Sequence, residues 1–128
     1  MELSEVMLKR RSTRHYKEGM SIEPELIDEM LKAAQLAPSW KNFQTGRYYV
    51  VQKPELMESI RAEGLPAFNA KNTAPACAYI VTTYVKDISG FNSGEPENEV
   101  GNGWGAYDLG CQNAYMLLKA AELGIDSL

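Results

Sequence analysis

Residues 105–123 constrain the fold most strongly, because they have helical spacing and apolar side chains on nearly every side. Such a helix has little surface suited to water. It must therefore be buried, either in the core of its own chain or against a second subunit. Gly124 follows the segment and is predicted to be its C-terminal cap.

A second apolar segment, residues 78–85, is rich in residues that favour strands and is apolar at both phases of the alternation. That pattern is typical of a central strand covered by helices on both faces. The pattern along the chain predicts the other elements as helices over 2–10, 24–37 and 54–64, a strand over 47–52, and the onset of a strand over 125–128. This order predicts an α+β or α/β sandwich in one domain, residues 1–128, whose final layer is unfinished.

Composition narrows the class of protein. The 128 residues are 45% hydrophobic and 23% charged, which predicts a globular domain and argues against disorder. A net charge of -4 provides no general attraction for nucleic acids or acidic membranes. The two cysteines, Cys77 and Cys111, have no metal-site or disulfide spacing. With no secretion signal or apolar run of membrane-spanning length, a cytoplasmic location is expected.

Residues 86–103 contain several glycines and acids and show no periodicity, so they are predicted to form a mobile surface loop. Loops of this length often act as lids over functional sites. The glutamates at 95, 97 and 99 lie in this loop, where a solvated acidic surface is a better interpretation than a calcium site.

The first candidate site is the basic stretch at residues 9–17, which contains five Lys or Arg residues and the aliphatic hydroxyls of Ser12 and Thr13 but no acid. Guanidinium groups bind phosphate oxygens through paired hydrogen bonds, and Ser or Thr hydroxyls can complete the shell. A solvated helix end is the plainer interpretation, and a nucleic-acid patch is a third. His15, the single histidine, is better explained as a neighbour of these cations than as a general base.

The second candidate is the stretch at residues 37–47, where Pro38 ends a helix and polar and aromatic side chains follow before a strand. Ser39 and Asn42 could contact a polar ligand while Trp40 covers a flat ring. An ordinary helix-to-strand connection would have the same punctuation, so both interpretations stand for this segment alone.

Taken together and in order, these segments resemble the nitroreductase family of FMN enzymes. The first stretch is similar to its Arg-Arg-Ser-x-Arg-x-Tyr segment. The second is similar to its Ala-Pro-Ser turn with a following Asn and Gln. The resemblance continues through Ala74-Pro75 and from Asp108-Leu109-Gly110 to Leu123-Gly124. It implies a three-layer α-β-α sandwich with a central mixed sheet, C-terminally truncated.

The resemblance also implies site residues. Arg10, Arg11 and Ser12 would hold the phosphate and ribityl chain of FMN, and Arg14 would reach the pyrimidine edge of the flavin. Asn69 would contact that same edge, with Lys71 or Asn72 nearby. The residues that would line the cofactor from the other subunit of a homodimer are Pro38, Ser39, Trp40 and Asn42. Trp104 and Tyr107 would border the substrate.

The activity implied is an FMN oxidoreductase that takes hydride from NAD(P)H and reduces nitroaromatics, quinones or similar electron-poor acceptors. No catalytic side chain or metal is required, because the flavin carries the redox chemistry. Trp40 stands where the family commonly has a small residue. Two other departures, the early C-terminus and Thr45-Gly46 in place of a proline-aromatic pair, support an alternative. In that alternative the chain is a flavin-binding module of degenerate activity with a structural or regulatory role.

Overall fold

The computed structural model describes residues 1–128. The helices are α1 (Leu3–Lys9), α2 (Pro24–Gln35), α3 (Pro54–Ser59), α4 (Ala67–Asn72) and α5 (Gly103–Glu122). The strands are β1 (Gly46–Val51), β2 (Tyr79–Tyr84), β3 (Phe91–Asn92) and β4 (Glu95–Pro96). The α+β class is confirmed, and no helix combines the length and apolar character needed to cross a membrane.

The core lies between α2 and α5. Pro24 occupies the first turn of α2, where its missing N–H costs no helical hydrogen bond. The helix then repeats apolar side chains on one face, and Met30 and Ala34 from that face pack against Met116 and Ala120 of α5. Burial of this shared seam fixes the two helices against each other.

The sheet beside this core has two strands. β1 and β2 pair antiparallel from Gly46 opposite Tyr84 to Val51 opposite Tyr79. Parallel pairing occurs at one bridge, between Ser12 and Ser127, where the N–H of Thr13 donates to the Ser127 carbonyl at 2.8 Å. The expected strand onset at 125–128 is thus a short bridge in this chain.

The prediction that β2 is a central strand covered on both faces was wrong within this chain. Its single partner strand is β1. Ile80 and Tyr48 pack on the helical core, whereas Val81 on the opposite face is 40% exposed. Apolar residues at both phases of a strand favour burial, but they do not specify which element covers the second face.

α5, predicted to be buried in the core or against a second subunit, buries one face within this chain. Asp108, Gln112 and Met116 lie on its buried face, while Tyr107 and Tyr115 are 64% and 43% exposed. Its end is as predicted, because Gly124 has a φ of 78° and the N–H of Ile125 donates back to the Ala120 carbonyl at 2.8 Å.

The segment between β2 and α5 is more ordered than its sequence indicated. Strands β3 and β4 form a hairpin whose two turn residues, Ser93 and Gly94, both have positive φ, as a tight hairpin turn requires. At its base, Asp87 and Asn102 exchange two hydrogen bonds of 2.7 Å. The segment predicted to be a mobile surface loop therefore contains a short hairpin and is closed at its base by two hydrogen bonds.

Candidate functional site

The predicted site residues form two groups. The first, called the basic group, consists of Arg10, Arg11, Ser12 and Arg14 and follows α1. Arg10 and Arg11 line a small cleft with Ala121 and Gly124 at the C-terminal end of α5, together with residues 125–127. The bridge between Ser12 and Ser127 fixes the backbone of the group beside this cleft.

The cations of the basic group have no acidic partners. Arg11 donates to the Arg10 carbonyl at 2.7 Å, and Arg14 donates to the Ser12 carbonyl at 3.4 Å. The ion pairs of the structure lie elsewhere and join Lys41 to Glu97, Arg61 to Glu58, and Lys119 to Glu29 and Glu122. Asp126 borders the cleft without forming an ion pair. The group is thus free to bind an anion.

Asn69 and Lys71 lie on α4 and do not line the cleft. Asn69 is half-buried and lines an apolar cavity of about 410 Å³, whereas Lys71 is exposed. Residues 125–127 line both the cavity and the cleft. Beside Asn69 on the same helix, the amide nitrogen of Asn72 is buried without a hydrogen-bond partner.

The second group, called the tryptophan group, consists of Pro38, Ser39, Trp40 and Asn42 with Trp104 and Tyr107. The ring centroids of Trp40 and Trp104 are 4.8 Å apart at an interplanar angle of 46°. Tyr107 meets Trp104 edge-on with a centroid separation of 6.0 Å. The structure therefore joins the turn after α2 to the start of α5 through aromatic contacts.

The turn carrying Trp40 has unusual backbone geometry. Lys41, Asn42 and Gln44 have φ values of 47°, 55° and 53°, a region that residues with a side chain seldom adopt. The N–H of Gln44 donates to Ser39 Oγ at 3.0 Å, and the Gln44 amide donates to Asn42 Oδ1 at 3.2 Å. Strain of this kind persists where surrounding contacts fix it, and it is concentrated at functional sites.

The polar contacts that support this turn were not predicted from the sequence. Asp108 is 3% exposed, and its Oδ2 accepts hydrogen bonds from the Trp40 N–H at 2.9 Å and the Ser89 hydroxyl at 2.7 Å. Four residues further along α5, Gln112 accepts a bond from the Tyr48 hydroxyl at 3.3 Å. Two polar residues at this spacing in an apolar helix were the available signal.

Burial affects two tyrosines. It is the largest cause of a raised pKa at Tyr16, to which the charges of Asp126, Tyr79 and Cys77 add. Burial alone raises the pKa of Tyr48. Both hydroxyls therefore lose their protons at a more alkaline pH than an exposed tyrosine does.

One protomer does not bring the two groups together. The basic group lies at Ala121 and Gly124, near the C-terminal end of α5, and the tryptophan group lies at Trp104, near its N-terminal end. At about 1.5 Å per residue, the helix rises roughly 25 Å between Trp104 and Ala121. A ligand much shorter than this distance cannot contact both groups of one chain.

Comparison with known proteins gives the fold and the family. A crystal structure of a nitroreductase family protein from Clostridium novyi NT superposes with a TM-score of 0.79 at 24% identity, covering 97% of this chain and 66% of that one. A nitroreductase with bound FMN from Desulfitobacterium hafniense DCB-2 superposes with a TM-score of 0.74 at 28% identity, covering 98% of this chain and 68% of that one. The predicted sandwich fold is confirmed by these likenesses.

Among curated proteins, YdgI from Bacillus subtilis, by its name a proposed NAD(P)H nitroreductase, is 34% identical over 79 residues. That match covers 62% of this chain and 37% of YdgI, so the chain spans well under two thirds of its curated relative. The model of the nitroreductase family matches residues 7–128. Since this match includes nearly the whole sequence, the chain belongs to the nitroreductase family.

Proposed function

We propose that this chain is an FMN-dependent oxidoreductase that passes hydride from NAD(P)H to an electron-poor acceptor such as a nitroaromatic or a quinone. The observation that carries the proposal is the basic group, whose guanidinium groups have no acidic partner in the structure. A relative of the same fold, the Desulfitobacterium hafniense nitroreductase, has FMN bound.

The donors in the chain fit this cofactor. FMN ends in a phosphate, and Arg10, Arg11 and the Ser12 hydroxyl provide charge and hydrogen bonds suited to its oxygens. The indole N–H of Trp40 is buried without a hydrogen-bond partner. Aromatic side chains beside it are suited to contact a planar ring.

A twofold homodimer would unite the two groups. In such a dimer the same surface of each protomer meets its copy, and two α5 helices packed antiparallel would place the start of one beside the end of the other. The outer face of α5 supports this arrangement, because Tyr107, Ala114 and Tyr115 are exposed on it. Each site would then take its basic group from one protomer and its tryptophan group from the partner.

In this site Arg10, Arg11 and Ser12 would bind the phosphate and ribityl chain, and Arg14 would bind the pyrimidine edge. Asn69, with Lys71 nearby on α4, would contact that edge from the same protomer. Pro38, Ser39, Trp40 and Asn42 would cover the cofactor from the partner. Trp104 and Tyr107 would border the acceptor and exclude water from it.

When bound, FMN supplies the chemistry of accepting and donating hydride. The chain contributes binding, orientation and electrostatic support, and the proposal assigns no side chain the role of nucleophile.

A second candidate is FMN binding without turnover, in a structural or regulatory role. The contact between Trp40 and Trp104 favours it, because the second indole fills space beside the turn where an acceptor would need room. Both candidates use the same cofactor site.

Purified protein distinguishes the two. FMN is added, free cofactor is removed, and the visible spectrum is recorded before and after NADPH and then after a nitroaromatic. We expect retained FMN that is bleached by NADPH and restored by the acceptor. Retained FMN that NADPH does not bleach would support the second candidate, and a colourless protein would contradict both.

A further inference from the structure

Asp108 is a carboxyl group buried without a cation. It lies in the second turn of α5, and its Oδ2 accepts from the Trp40 N–H at 2.9 Å and from the Ser89 hydroxyl at 2.7 Å. None of the ion pairs in the structure includes it. A carboxyl group is costly to bury, so the hydrogen bonds it accepts must compensate for lost water.

These two bonds connect three separate parts of the chain. Trp40 begins the strained turn after α2, Ser89 is buried in the loop that leads to β3, and Asp108 belongs to α5. The Ser89 hydroxyl is also 3.5 Å from the buried hydroxyl of Thr45, just before β1. The carboxylate of Asp108 therefore links both the turn and the loop to α5 through hydrogen bonds.

The turn depends on such an anchor. The N–H groups of Asn42, Phe43 and Gln44 donate to Ser39 or Trp40 within the turn, and the Gln44 carbonyl accepts from Arg47 Nη1 at 2.9 Å at the start of β1. Three of its residues have positive φ, so local preference does not favour the observed shape. The bond from the Trp40 N–H to Asp108 ties this backbone to the rigid helix that also carries Trp104.

We propose that Asp108 is a positioning residue that fixes the Trp40 turn against Trp104 and thereby sets the half of the cofactor site contributed to the partner. The part of this inference that concerns the cofactor rests on the proposed function. The positioning of the turn by Asp108 does not depend on that function. Asp108 touches no proposed ligand and acts through the backbone of Trp40.

The chain contains its own reporter for this position. Its two tryptophans are Trp40 and Trp104, and their tilted rings are close enough to couple, so the far-ultraviolet circular dichroism should show an exciton couplet. Asp108→Leu removes the acceptor and should abolish the couplet. Asp108→Asn keeps an oxygen acceptor of nearly the same size and should retain it. The control is Ile27→Val, which leaves a small cavity beside the buried face of α2. It should lower the melting temperature without changing the couplet.

An unchanged couplet in Asp108→Leu would overturn the proposal, as would its loss in Ile27→Val, because that loss would reflect general loosening. If Asp108→Leu does not fold, Ser89→Ala decides. It removes one of the two hydrogen bonds to Asp108, so a weakened couplet at a near-native melting temperature supports the proposal, and an unchanged couplet overturns it.

FMN titration of the same variants links the position to function. Asp108→Leu should weaken the binding of FMN and of riboflavin by the same factor, roughly tenfold or more, because the displaced turn faces the flavin ring and not the phosphate. Asp108→Asn should stay close to the unmodified protein. If the unmodified protein binds no FMN, the proposed function fails, while the couplet still decides the role of Asp108.

Discussion

The indole rings of Trp40 and Trp104 lie with their centroids 4.8 Å apart, although one residue follows α2 and the other lies in the first turn of α5. This contact lies at one end of α5. The arginines of the basic group, which have no acidic partner, lie near its other end. The length of the helix thus sets the distance between two parts of a proposed site. This geometry is the basis for a site shared between two copies.

The basic group should recognise the phosphate of FMN. We expect Arg11→Ala to weaken FMN binding about tenfold to a hundredfold, since a charge-assisted hydrogen bond contributes about 1.5–3 kcal/mol. Riboflavin, which lacks the phosphate, should bind both proteins equally. Fluorescence titration with the two ligands measures this, and Lys17→Ala is the control within the same basic stretch. An equal loss for riboflavin would show that Arg11 does not act on the phosphate.

Gly105 should be required for packing at the start of α5. A Cβ at this position would lie 2.5 Å from Tyr84 Cδ2, so Gly105→Ala should destabilise the protein by about 1–3 kcal/mol, despite the better helix propensity of alanine. Chemical unfolding measures the change. In a Tyr84→Leu background the ring is absent, and the same substitution should become neutral or stabilising. If Gly105→Ala still destabilises the protein in the Tyr84→Leu background, contact with the Tyr84 ring is not the cause.

The exposed face of α5 should mediate dimerisation. Ala114 lies on this face, and Ala114→Glu should give a monomer that also loses FMN, because a charge would be buried at the twofold contact. Sedimentation together with FMN titration gives both results. Leu36→Glu, an exposed position after α2, should remain dimeric. A monomeric unmodified protein that binds FMN would refute the shared site.

Tyr16 should make the protein sensitive to alkali. Burial first, and then the charges of Asp126, Tyr79 and Cys77, raise the pKa of its hydroxyl in the folded state. The stabilisation from the neutral hydroxyl is complete below the ordinary tyrosine pKa of about 10 and is lost as the pH rises through the higher folded value.

Melting temperatures measured from pH 7 upward check this expectation. The unmodified protein should lose stability above about pH 10 more steeply than Tyr16→Phe. Tyr49→Phe, at an exposed position on β1, should follow the unmodified protein. If the melting temperatures of all three proteins fall in parallel as the pH rises, Tyr16 does not control the loss of stability in alkali.

The elements that could be predicted are those with strong local signals. Pro24 and the apolar repeat after it located α2, and the bounds of β1 and β2 were predicted to within a residue or two. α4 was missed, because six residues do not establish a period. The hairpin β3–β4 depends on positive φ at Ser93 and Gly94, and that pair alone was too weak a turn signal.

The site was harder to predict, because it depends on which face of α5 is buried. Asp108 matched the family pattern in sequence, but its role follows from contacts with Trp40 and Ser89, both distant along the chain. The roles of Arg10 to Arg14 stay predictions from the resemblance. The separation of the two groups by the length of α5 could not be derived from spacing along the sequence.

A heterodimer tests the central claim most directly. One chain carries Arg11→Ala and Arg14→Ala, and the other carries Trp40→Leu and Asn42→Gly, with glycine chosen because position 42 has a positive φ. Each homodimer should bind FMN weakly. The purified heterodimer should bind one FMN with the affinity of the unmodified protein, because one of its two sites combines an intact basic group with an intact tryptophan group. A heterodimer that binds as weakly as both parents would contradict the shared site.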